Sequence, residues 1–228
     1  SVSGRRVVEL SYPPAKPADA SVVSAAERVA STCARLGVRE ANLIAHGLGA
    51  PIALQLLRAS ALGVASLTLV SPYATVADLK PAARKAAEAR DMAAAAALLP
   101  STVSAARETC IAEASRGADA DSWLRASLGA RDAAPLGGDG LGKALSAVAP
   151  RTPTLVCWGG ASDIVDGSGW SDGLPSNARI QLLDGAGHLP FVERPESFTR
   201  IALDWLDEAE GKETPRERQF SHPLTKRR

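Results

Sequence analysis

The sequence predicts a doubly wound, mainly parallel α/β sheet, with helices packed on both faces. Two observations carry this. Short β-branched or leucine-rich runs alternate with amphipathic helical stretches, the pattern of successive strand–helix–strand units. One such unit is sharply drawn. Ala41-Asn42-Leu43-Ile44-Ala45 reads as a buried strand, His46-Gly47-Leu48-Gly49 as a glycine turn, and Ala50 to Leu57 as a helix apolar on every side.

Taken in order, Val7-Val8-Glu9-Leu10 is expected to be the first strand. Tyr12-Pro13-Pro14-Ala15-Lys16-Pro17 must then be non-helical, because each proline restricts the residue before it. Asp19 or Ser21 can cap the next helix. Its inner face is Val22, Ala26, Val29, Cys33 and Leu36, and Gly37 ends it. Asn42 to Ala45 follows as a strand, so the crossover between the two strands is right-handed. Leu67-Thr68-Leu69-Val70 is the next strand, closed by Ser71-Pro72. From Tyr73 to Pro150 no run reads as a strand, and alanine, arginine and leucine predict three or four closely packed helices. Strands return at Thr154–Trp158 and Arg179–Leu183. Phe198, Ile201, Ala202, Trp205 and Leu206 then mark the inner face of a last helix opened by Pro195. The expected division is 1–72 and 151–210 for the two parts of an α/β core, 73–150 for a helical lid, and 211–228 for a basic tail.

Bulk composition narrows the function classes. The 228 residues are 46% hydrophobic and 22% charged, enough for one real core. A formal net charge of +1 gives no electrostatic reason to expect nucleic acid or a charged membrane surface as partner. Cys33, Cys110 and Cys157 lie far apart with no histidine cluster beside them, which argues against a disulfide framework and a metal site. They fit a reducing compartment, cytoplasmic or mitochondrial; Ser1 in place of Met is compatible with removal of an upstream targeting segment. No apolar run approaches the ~20 residues of a membrane helix.

Three segments, in order, resemble the α/β-hydrolase superfamily. The first is the turn at His46-Gly47-Leu48-Gly49, similar to the nucleophile elbow G-x-S-x-G on its strained strand-to-helix turn. The second, Pro153 to Gly159, resembles the strand before the catalytic acid. The third, Asp184-Gly185-Ala186-Gly187-His188-Leu189-Pro190-Phe191, resembles the loop carrying the catalytic histidine. The lid around Ala89-Arg90-Asp91-Met92 is also similar to hydrolase-like domains attached to acetoin dehydrogenase acyltransferases.

The resemblance implies a triad in which a hydroxyl attacks, a histidine takes its proton and an acid orients the histidine. The departures from it decide the functional expectation. Gly47 stands where the serine belongs and has no side chain; His46 beside it is expected to pack sideways and is no substitute. The acid's position falls on Ser162, with Asp163 one residue later and Asp166 further off as candidates to pair with His188. Val7 to Leu10 aligns with the family's fourth strand, so the loop supplying one oxyanion donor has no counterpart, and the Leu48 N–H alone remains. One lost oxyanion donor costs ~10²–10³ in rate, and a lost nucleophile on the order of 10⁶.

The expectation is therefore a catalytically inactive member of the superfamily, a pseudoenzyme. Gly47, Ser162, Asp163 and His188 would be vestigial triad positions and Leu48 a vestigial oxyanion donor, with no cofactor and no metal. A sheet edge left bare by the missing strands invites another chain. The expected partners are accordingly other protein subunits of a larger complex, bound through that N-terminal edge or the basic tail. Two alternatives stand beside this. One is a non-hydrolytic enzyme using His188 as general base, such as a cyclase, lyase or cofactor-free dioxygenase. The other is an inactivated ester or C–C hydrolase.

Overall fold

The structure, a computed structural model, describes residues 4–10, 21–47, 49–73, 78–89, 94, 97–98, 140–167, 170–171 and 173–212. Among these, the elements begin with α1 (Val22–Arg35), β1 (Glu40–His46), α2 (Gly49–Arg58), β2 (Gly63–Val70) and α3 (Pro81–Ala89). They continue with α4 (Leu141–Val148), β3 (Thr154–Gly159), β4 (Ala178–Leu183), α5 (Pro190–Glu193) and α6 (Pro195–Ala209). The strands form one sheet in chain order, and every neighbouring pair is parallel. The expected α/β class is the observed one.

Local signals explain the elements. Ser21 caps α1, its hydroxyl accepting the Ser24 N–H at 3.0 Å, and Gly37, at φ +71°, ends it. The other cap candidate, Asp19, lies outside the described residues. Strand pleating divides the core in two. Val156, Leu67 and Leu69 point to one face and pack with α1, α2 and α4. Leu155, Cys157 and Leu183 point to the other, where Trp205, Phe198 and Ile201 of α6 cover them.

One expectation fails. Val7 to Leu10 belongs to no strand; Val7 is 68% exposed, and of the four only Leu10 packs against the core. A β-branched run becomes a strand only where a neighbour meets it in register, and this segment is tethered elsewhere. The Arg5 guanidinium donates to both carboxylate oxygens of Glu210 at 2.9 Å each and to Asp207 at 2.7 Å, at the end of α6. The Asn42 amide joins the same Glu210 at 3.0 Å. Among the described residues β1 therefore pairs with β2 alone, and Ile44 is 53% exposed. Of the lid, α3, α4 and a few flanking residues are described, and of the tail Gly211 and Lys212. No helix among the described residues is long and apolar enough to cross a membrane, and none of their His, Cys, Asp and Glu side chains form a group of three that could hold a metal.

The Arg5 hydrogen bonds, followed by one from Lys212, hold the Glu210 carboxyl down at about 2. A depressed carboxylate adds stability that is complete above its unfolded value of 4.5 and disappears as pH falls toward 2. The pair is partly exposed, so Arg5→Ala should cost no more than about 1 kcal/mol at neutral pH. The same substitution should flatten the loss of stability across that acid window. Urea midpoints of both proteins between pH 2 and 7 check this.

Candidate functional site

The site forms where the C-terminal ends of β1, β3 and β4 meet. At the end of β1 the chain reverses tightly. The Gly47 N–H donates to the Val70 carbonyl at 3.0 Å, and its own carbonyl accepts the Ala50 N–H at 3.0 Å. Gly47 sits at φ +52°, a conformation that glycine adopts freely and a side chain resists. A Cβ built there would lie 3.8 Å from His188 Nε2 and 3.8 Å from Cε1 of Tyr73. The turn thus aims its side-chain direction at an imidazole, and glycine leaves that direction empty.

His188 is held in place by backbone contacts and one carboxylate. A Cβ on Gly159 would come within 2.2 Å of the carbonyl oxygens of Ala186 and Gly187, so only glycine lets β3 end against this loop. The Ala161 N–H then donates to Ala186 at 2.9 Å, and the Gly160 N–H to Leu183 at 3.2 Å. From the far side, the Glu193 carboxylate accepts the N–H groups of Gly187 at 2.8 Å and Leu189 at 3.0 Å. His188 is left 8% exposed.

His46 does pack sideways, and its partner is the histidine loop itself. Its Nε2–H donates to the His188 carbonyl at 3.1 Å; the two rings lie 4.8 Å apart, and Phe191 meets the His46 ring edge-on at 5.1 Å. A carbonyl only accepts, so the proton is on Nε2. His188 Nδ1 is buried and makes no hydrogen bond. Burial first, then the neighbouring His46, push the His188 pKa well below the usual histidine range. Burial also lowers that of His46, opposed by its bond to the His188 carbonyl. Both rings are neutral at pH 7.

None of the acid candidates supplies the missing partner of Nδ1. Ser162 is buried, its hydroxyl accepting the N–H groups of Ile164 at 3.3 Å and Val165 at 3.4 Å, while its carbonyl accepts the Lys80 ammonium. The Asp163 side chain is 74% exposed and lies 3.9 Å from Lys80. Its register is the reason: the tight turn buries Ser162 and sends the following residue outward. Asp166 belongs to a short antiparallel pairing with the chain before α3, its N–H on the Asp78 carbonyl at 2.8 Å beside the Leu79–Val165 bridge. Leu48 lies outside the described residues. Sequence reasoning missed Ser71. It ends β2 at φ +42° with a buried hydroxyl that has no partner, and nothing in Ser71-Pro72 beyond a strand end announces it. Cys157 is not a replacement attacker, since burial pushes its thiol up to about 12.

A profile described as the alpha/beta hydrolase family matches residues 4–201. The chain belongs to this family. No curated protein matches the sequence. Solved structures of similar fold include a serine-to-glycine variant of the N-acyl homoserine lactonase AidH complexed with N-hexanoyl homoserine lactone. It is 18% identical, with TM-score 0.61, over 86% of this chain and 75% of that one. A meta-cleavage product hydrolase of Pseudomonas fluorescens, as a serine-to-alanine variant complexed with acetates, is 18% identical with TM-score 0.64 over 83% and 72% of the two chains. A protein of Burkholderia cenocepacia described as an aryl esterase is 19% identical with TM-score 0.65 over 87% and 76%. At such identity these likenesses establish the shared hydrolase fold.

Because the Gly159 contacts are backbone on both sides, Gly159→Ala has no flexible side chain to displace. It should destabilise the protein by at least the ~1–3 kcal/mol typical of overpacking, and the histidine loop should lose its protection before the sheet does. Chemical denaturation and amide exchange of residues 184–189 measure the two effects.

Proposed function

We propose that this alpha/beta hydrolase-family protein is a pseudoenzyme that serves as an accessory or structural subunit of a larger protein complex. One observation carries the first half: the elbow at Gly47 points at His188 Nε2 with no side chain, while Nδ1 of the same ring has no carboxylate. Acyl transfer by this fold needs an attacking oxygen, a base and a group that orients the base. Of these the site offers the imidazole alone, and burial has weakened it as a base. Gly47, Ser162, Asp163 and His188 are on this reading vestigial triad positions, and Leu48 a vestigial oxyanion donor. The subunit role draws support from β1, which pairs on one side only among the described residues and leaves Ile44 exposed; Val7 and Val8 are exposed as well.

A second reading is a binding protein for acyl compounds. It draws on the serine-to-glycine lactonase variant of the same fold that was solved in complex with N-hexanoyl homoserine lactone. On either reading the purified protein should hydrolyse p-nitrophenyl esters at the rate of a His188→Ala control. Gly47→Ser alone should stay weak, because an unoriented histidine costs on the order of 10⁴. Gly47→Ser with Ser162→Asp, which returns a carboxylate to the buried turn, should exceed it. Rapid ester cleavage by the unaltered chain would overturn the proposal. The subunit role is checked by mass spectrometry of what co-purifies with the native protein and by light scattering; a monodisperse monomer with no companion overturns it.

A further inference from the structure

The contact between His46 and His188 does more than fill space. Its two rings lie 4.8 Å apart, and one donates a hydrogen bond to the main chain of the other. Nδ1 of His188 has no hydrogen-bond partner, and the nearby acidic side chains whose partners are seen are held elsewhere. Glu193 of α5 is taken up by two loop N–H groups, and Asp163 lies by Lys80. Arg194 lies against Gly185, the Tyr73 ring faces the elbow, and the backbones of Asp78 and Asp166 join in the antiparallel pairing before α3. His46 is thus the charge-bearing neighbour of His188, and it has the same sign when protonated. A second imidazolium there would lie against the first, half-buried beside a buried ring whose Nδ1 has no partner.

We infer that the His46–His188 contact is an acid-sensitive latch, which holds the loop from Asp184 to Leu189 on the elbow while both rings are neutral and releases it when either ring takes up a proton. The loop has the construction such a device needs. It is fastened by a few discrete bonds, those of His46, Ala161 and Glu193, rather than by a strand ladder. Gly185 at φ +67° gives it a turn about which to swing. Opening it would return His188 to water, where an imidazolium is well solvated. The sign follows from linkage: the open state binds more protons than the closed one, so closure is complete above about pH 6.5 and weakens below it.

This inference shares with the pseudoenzyme reading the missing carboxylate at Nδ1, but the two fail separately. Ester assays test the first reading and leave the latch untouched. The test of the latch is hydrogen exchange on the full chain, with protection factors corrected for intrinsic exchange. Between pH 7.5 and 5.5 the protection of residues 184–189 should fall about tenfold for each proton taken up, while α6 residues 202–206 hold theirs. In His188→Gln, or in His46→Gln, which keeps a donor for the carbonyl, the acid response should shrink by one proton's share. Equal protection of the loop at both pH values would overturn the latch. So would a parallel loss in α6, which signals global unfolding, or an undiminished response in both glutamine variants. Should the variants not fold, imidazole NMR of the unaltered protein decides. Two rings titrating clearly below a free histidine support the latch, and both titrating at or above 6.5 overturn it.

Discussion

The close approach of β3 to the loop after β4 is the constraint on which the rest of the site depends. Gly159 brings backbone against backbone, at a separation that no side chain would allow, and the Ala161–Ala186 hydrogen bond then joins the two loops. From that junction the imidazole of His188 is carried to the elbow, and Ser162 is buried in the turn that follows Gly159. Glu193 holds the loop from the other side with two charge-assisted bonds. This scaffold holds His188 at the elbow, where Gly47 carries no side chain and Nδ1 of the ring has no hydrogen-bond partner.

What remains at the centre is a pair of imidazoles, His188 buried and His46 half-buried. In a working triad a carboxylate would fix the tautomer of the histidine and stabilise its charged form. Here Nδ1 of His188 has no such partner, and burial and His46 both oppose protonation. The missing carboxylate underlies both proposals, the loss of catalysis and the cost of acid to the closed loop, so they share one physical origin. The strained Ser71 at the end of β2, buried and unpartnered, sits at the same end of the sheet.

Much of this was legible in the chain. Alternation of buried runs with amphipathic stretches announced the parallel sheet, because side-chain periodicity reports directly which face of an element is buried. Ser21 and Gly37 marked the ends of α1 through local hydrogen bonding and backbone freedom alone. The misreading of Val7 to Leu10 has the opposite cause. A β-branched tetrapeptide carries the propensity for a strand but no information about its neighbour, and Arg5 pins the segment to α6 across some two hundred residues of sequence.

The site divides along the same line. That position 47 offers no attacking atom is a property of glycine itself and needs no coordinates. That Gly47 faces Nε2 of His188, that Asp163 turns to Lys80 and that Nδ1 is orphaned are matters of direction, set by loops that touch through their backbones. The contact of His46 with His188 joins residues 142 positions apart. Residue type states which chemistry is available; only packing states which groups are near enough to share it.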